Sequence, residues 1–137
     1  GDGSEARPFV GADGAAGIVA AMRSVPVGPL TVVVDPGYHR ITGSMGVRAN
    51  VTVVGAGMDS TTLVNRPYVH IPSWGSLKEG SGLHNLTIDG NRWDSPASAC
   101  SFHGFDVVAP GVTVIQTRLQ NFDCGCILPH DGAKGLS

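Results

Sequence analysis

The chain has 137 residues, a formal net charge of -2 and only 15% charged residues, so it has no basic field to hold nucleic acid or an anionic membrane surface. That length suffices for one domain with a modest core, and 20 glycines and 9 prolines suit a chain that turns often between short strands. No apolar run is long enough for a membrane span, and no signal peptide with a charged start and apolar core is legible.

In chain order, the first predicted element is a helix over 14–24. Asp13 is placed to cap it, Ile18, Val19 and Met22 share one face, and Pro26 and Gly28 stop it. An amphipathic helix ahead of the first strand can lie across the open end of a stacked β-structure and cover it. Leu30 to Val34 then reads as an aliphatic strand, Asp35-Pro36-Gly37 as a turn, and Tyr38-His39-Arg40-Ile41 as a second, alternating strand. Asn50 to Val54 is the next strand, ended by Gly55-Ala56-Gly57. From Met58 to Gly82 the rhythm breaks around Pro67, Tyr68, Pro72 and Trp74, which predicts a long loop of the kind that usually carries function or an interaction surface. Leu83 to Ile88 is a third rung, closed by Asp89-Gly90-Asn91-Arg92-Trp93-Asp94, and Phe105 to Val108 and Val112 to Leu119 follow.

These segments repeat. Asn50-Val51-Thr52-Val53-Val54-Gly55 returns as Asn85-Leu86-Thr87-Ile88-Asp89-Gly90, is echoed by Gly111-Val112-Thr113-Val114-Ile115 and is foreshadowed by Leu30-Thr31-Val32-Val33-Val34. The threonines at 31, 52, 87 and 113 are 21, 35 and 26 residues apart, periods that read as a solenoid with one insertion. Counting leaves two registers open for the last repeat, Thr87 with Thr113 or Ile88 with Leu119. Val33, Val53, Ile88 and either Val114 or Leu119 are the expected core positions, since parallel strands are buried and read as aliphatic runs. Gly1 is not a Met, and Gly135-Leu136-Ser137 stops 24 residues after Thr113, about where another rung would begin; both suggest a portion of a longer chain.

Cys100, Cys124 and Cys126 are an odd set and define no disulfide framework. Cys124-Gly125-Cys126 has only His103 and His130 as further ligands of metal type, at irregular spacing, so neither a metal nor another cofactor is expected and the thiols are read as small buried apolar groups. The histidines at 39, 70, 84, 103 and 130 are scattered through strand ends and turns and read as ordinary polar partners.

Taken together, Gly1-Asp2-Gly3-Ser4, the helix, Val32 to Ile41, Asn50 to Gly57 and Asn85 to Asn91 resemble the start of the pectate-lyase-like single-stranded right-handed β-helix family, as found in bacteriophage tailspikes and polysaccharide-degrading enzymes. The resemblance implies an all-β fold: a right-handed parallel β-helix over 30–137, truncated after about three to four coils, behind an N-terminal segment, 1–29, with its capping α-helix. The matching stretches are structural rungs, so they indicate a fold and leave the activity open.

Two functional classes follow from the resemblance. One is a structural, receptor-engaging virion component of the tailspike or tail-fibre kind, in a homotrimer or beside other virion proteins, presenting a carbohydrate- or protein-binding surface on a virion or outside the cell. The other is the N-terminal part of an extracellular polysaccharide lyase, glycoside hydrolase or epimerase. Low charge and the rod-like repeat favour the first.

A glycosidase would need two carboxylates held across the sugar bond. Of Asp89, Asp94, Asp106, Asp123 and Asp131, the first, second and last sit in turn-like contexts where Asp bonds its own backbone. No catalytic motif is legible and no catalytic residue is assigned; Asp89 and Asp123 are the nearest candidates for such acids, and Arg92 and Arg118 are positioned as candidate lyase bases. Tyr68, Trp74 and Trp93 are the candidate ligand-binding residues, as rings on which a sugar can stack or as interface residues.

Overall fold

A computed structural model describes residues 14–96, 103–133, 135 and 137. The described chain is mostly β, with one helix and three parallel sheets. Helix α1 (Gly14–Ser24) is followed by β1 (Leu30–Val33), β2 (Gly37–Arg40), β3 (Val51–Val54), β4 (Thr61–Val64), β5 (Ser73–Leu77), β6 (Gly82–His84) and β7 (Thr87–Asp89). After a 3-10 turn at Arg92–Asp94 come β8 (His103–Val107), β9 (Thr113–Ile115), β10 (Arg118–Gln120) and β11 (Ile127–Pro129).

The first sheet runs β1-β3-β6-β9, the second β2-β4-β7-β10 and the third β5-β8-β11. Every pairing between these strands is parallel. The chain therefore visits the three sheets in rotation, and each return lays a strand beside the one from the circuit before. In the first circuit residues 41–47 occupy the place of the third sheet: the Met45 and Val47 N–H groups donate to the carbonyls of Trp74 and Ser76, and Val47 bridges Leu77.

In the first two sheets the strands send one row of side chains inward. Val32, Val53, Leu83 and Val114 stand in register across the first sheet, and Leu63, Ile88 and Leu119 across the second. Val53, Leu63, Leu83 and Ile88 are fully buried, while Val114 and Leu119, in the last circuit, are partly covered. Val33 departs from expectation: it is 72% exposed, and Val32 takes the core position. A run of three valines carries no phase of its own, and the partner strand decides which of them turns inward.

The repeat also resolves differently from the threonine count. Thr31, Thr52, Gly82 and Thr113 share one row of the first sheet, whereas Thr87 lies in the second, opposite Thr62 and Arg118. Ile88 pairs with Leu119, so the second of the two registers holds. The two Asn-led motifs look alike because each begins with an asparagine in the left-handed region, Asn50 at φ 61° and Asn85 at φ 57°, ahead of a strand. Asn tolerates that conformation better than most residues, so the signature marks a corner and not a particular sheet. Asn85 and Gln116 (φ 46°) make the tight corners between the first and second sheets.

The long loop expected over 58–82 contains two strands, β4 and β5. Thr61-Thr62-Leu63-Val64 has strong β character in its own right, and the prolines at 67 and 72 fall between the strands, where they break no ladder.

Helix α1 packs on β1 and β2 with Ala15, Ile18 and Met22 buried, and Gly14 lies close against His39 and Ile41. Arg48 ties the following linker to the first circuit, its guanidinium donating to the carbonyls of Val25, Gly28 and Ala49. The expected cap at Asp13 lies outside the described residues.

Candidate functional site

The outer face of the second sheet carries two rows of side chains in register: Tyr38, Thr62, Thr87 and Arg118, and Arg40, Val64, Asp89 and Gln120. Met58 and Asp59, which precede β4, and Arg66, which follows it, flank these rows and turn the face into a groove of about 630 Å³. Thr87 Oγ1 donates to the Met58 carbonyl at 2.7 Å, which draws the 57–60 turn over the sheet and makes that wall. Four strands set about 4.8 Å apart give the groove floor a span of about 14 Å.

The groove differs from end to end. Tyr38, on the first circuit, is 85% exposed and presents its ring to solvent. On the last circuit Arg118 lies 3.5 Å from Asp59, an exposed pair whose small energy leaves both groups available to a ligand. Asp89, between the ends, is committed to its own corner. Its oxygens accept from Gln120 Nε2 at 3.0 Å, from Asn121 Nδ2 at 3.1 Å and from the Asn91 backbone N–H at 2.8 Å. A carboxylate holding three donors is a turn-closing group, which is what its place before Gly90 predicts.

A second polar cluster sits on the third sheet around Asp106. Ser73 Oγ donates to it at 3.0 Å, and the Nε2 atoms of His103 and His130 approach its two oxygens at 3.1 and 2.9 Å. Partial burial opposes ionisation of Asp106, but the bonds from His130, His103 and Ser73 outweigh it and hold the carboxyl below its ordinary value. In a nucleophilic triad the imidazole stands between hydroxyl and carboxylate; here the carboxylate stands between, so Ser73 has no base beside it.

No family model, curated protein or solved structure matches the chain.

The sequence candidates disperse. Trp74 is on β5 and fully buried, its ring edge-on to Phe105 and Phe122 at centroid distances of 6.3 and 5.4 Å, so it is a core residue and offers no platform to a sugar. Tyr68 is partly buried and packs against the same core. Trp93 is 71% exposed on the 3-10 turn, with the Arg92 guanidinium 4.2 Å over its ring and Nε1 donating to Asn121 Oδ1 at 3.2 Å. Arg92 is thus engaged with the ring, while Arg118 does reach the groove. Asp123 lies in the connection between β10 and β11 and is not among the groove residues.

The thiol reading needs correction as well. Cys124 is disulfide-bonded, so only Cys126 is free among the described cysteines; burial pushes its thiol pKa up, and Cys100 is outside the described residues. Among the described residues no three His, Cys, Asp or Glu side chains are placed to hold a metal, and His103 and His130 converge on Asp106.

Sequence reasoning missed Tyr38, Asp59 and Arg66. Tyr38 had a legible signal, the alternation of Tyr38-His39-Arg40-Ile41 with Ile41 inward; Asp59 and Arg66 fell in the stretch read as a loop.

Proposed function

We propose that the chain is a section of a right-handed parallel β-helix of the tailspike or tail-fibre kind, which binds a saccharide along the outer face of the second sheet without cleaving it. Support for the β-helix comes from three wholly parallel sheets entered in rotation. The observation that carries the binding reading is the groove itself, with an exposed Tyr38 ring at one end and Arg118, Gln120 and Asp59 at the other. The tyrosine offers an apolar face to sugar C–H groups, and the polar end offers donors and an acceptor to hydroxyls; a cleft with a few convergent polar groups is a usual form of ligand site. A rigid, saccharide-binding rod suits a virion surface or another extracellular assembly.

One observation favours a second reading: Asp59 and Asp89 both line the groove, and a pair of carboxylates is what a glycoside hydrolase needs. The occupied oxygens of Asp89 weigh against it. The test is a screen of the chain against bacterial surface polysaccharides and oligosaccharides, with binding and release of new sugar ends measured together. Binding without cleavage, weakened about tenfold by Tyr38→Ala or Arg118→Ala with an unchanged circular dichroism spectrum, is the expected result; a tenfold loss is 1.4 kcal/mol, within the reach of one stacking or charged contact. Binding that ignores both substitutions overturns the site. Depolymerisation abolished by Asp59→Asn or Asp89→Asn overturns it in favour of an enzyme.

A further inference from the structure

The Asp106 cluster joins three successive circuits through one carboxylate. Ser73 opens β5, Asp106 and His103 belong to β8, and His130 follows β11 directly. Directly opposite Asp106 in register stand Ser76 on β5 and Leu128 on β11, so the carboxylate lies over the middle strand with a neighbour on each side.

The bonding favours an ionised group, as the lowered pKa of Asp106 reflects. A carboxylate accepts at both oxygens, whereas a protonated carboxyl must donate one O–H and cannot accept at that oxygen from a facing N–H. The Ser73 hydroxyl accepts from the Gly75 N–H at 3.2 Å, which leaves its own proton for Asp106. Both imidazoles approach through Nε2, which donates when it carries the proton. With the proton on Nε2 of each imidazole, three donors converge on one acceptor, and protonating that acceptor sets an O–H against at least one of them.

Strand β11 is where this matters most. It has three residues, pairs only with β8 among the described strands, and ends in Pro129, which has no N–H to give. Beside the parallel ladder that pairs Ile127, Leu128 and Pro129 with Phe105, Asp106 and Val107, backbone bonds run from the Gly104 and Phe105 N–H groups to the carbonyls of Gly125 and Cys126, and from the His130 N–H to the carbonyl of Val107. The His130 side chain adds its bond to Asp106 immediately past the proline, which itself gives no N–H to the ladder.

We propose that Asp106 is an acid-released clasp, holding β11 and the 130–133 turn on β8 while ionised and freeing them when it takes up a proton. The titratable groups facing it are His103 from its own strand and His130 from the turn after β11; β5 presents only the hydroxyls of Ser73 and Ser76. Because the folded carboxyl titrates below its ordinary value, its contribution is present above the unfolded-state value and is lost as pH falls through the folded one. Release therefore belongs to the acid side of the ordinary carboxylate range, and charge on either imidazole strengthens the clasp above it.

The test is amide exchange on the whole chain, corrected for intrinsic rates, followed from about pH 5 to about pH 2.5, a range that brackets carboxylate titration. In the wild type, protection of the Phe105 and His130 amides is expected to fall about tenfold across this range, as loss of a hydrogen bond to a charged group implies, while Val53 and Leu83 amides in the first sheet hold. Asp106→Asn is expected to start at the lower protection and show no step. His130→Gln, which keeps the carboxylate and alters only the β11 side, is expected to lower protection of these two amides with the β5–β8 pairing unchanged, and it serves if the Asn variant does not fold. An equal step in Asp106→Asn, no step in the wild type, or full protection in His130→Gln overturns the clasp.

Discussion

Replacing Trp74 separates the core from the surface more sharply than any other substitution in this chain. Its side chain is fully buried on β5 and meets Phe105 and Phe122 edge-on, so truncation to alanine removes the largest buried side chain and leaves two aromatic neighbours facing a void. A buried Trp→Ala change costs about 3–5 kcal/mol, and the edge-on ring pairs place this one toward the upper part of that range. Against a total stability of roughly 5–15 kcal/mol for a domain, Trp74→Ala is expected to move the denaturation midpoint far or to leave part of the chain unfolded at rest. Trp74→Phe retains most of the ring. Among the described residues the Trp74 Nε1 has no hydrogen-bond acceptor, so losing it removes a buried polar group with no bond to replace, and the Phe variant is expected to cost about 1 kcal/mol or less. Trp93→Ala gives up one exposed cation–π contact and one exposed hydrogen bond, about 1 kcal/mol together. Urea unfolding followed by far-ultraviolet circular dichroism yields all three values. A Trp74→Ala cost below about 1 kcal/mol, or one no larger than that of Trp93→Ala, would refute the placement of Trp74 in the core.

Three further outcomes are expected. Ile18→Asp places an unpaired charge under the helix against the first circuit and should cost several kcal/mol by chemical denaturation, with the largest loss of amide protection in β1 and β2. Asn85→Ala forces a residue with poor left-handed tolerance into φ 57° and should cost about 1 kcal/mol, whereas Asn85→Gly should be nearly neutral in the same assay. Gly104→Ala drives a methyl group into the Cys126 backbone carbonyl, so amide exchange should show β11 loosened from β8 with the first sheet intact.

Much of this architecture is written locally. The helix is legible because Ile18 and Met22 recur at helical spacing and Pro26 follows, and β1 and β3 because aliphatic residues cluster between turn residues. Strand β5 is not, since Ser73-Trp74-Gly75-Ser76-Leu77 has a glycine and two serines where a strand pattern expects branched side chains. The inward valine of β1 depends on the β3 register, a relation between circuits that no local pattern holds. The groove is hidden for the same reason. Tyr38, Thr62, Thr87 and Arg118 form one row yet lie 24, 25 and 31 residues apart, because the connection between β7 and β8 is longer than its counterpart a circuit earlier. Unequal connections erase the period, and with it any sign that a tyrosine near residue 40 and an arginine near 120 share a surface. Asp106 is similar: His103 is its near neighbour in sequence, but Ser73 and His130 reach it only once three circuits are stacked.

The saccharide reading is tested most directly by backbone amide chemical-shift mapping of the isotope-labelled chain, titrated with whichever oligosaccharide the binding screen returns. Shifts concentrated on β2, β4, β7 and β10, largest near Tyr38, Thr62, Arg66, Arg118 and Gln120 and saturating without release of new sugar ends, are the predicted result. Shifts gathered around Trp93 or the third sheet, with β2 and β10 silent, would contradict it.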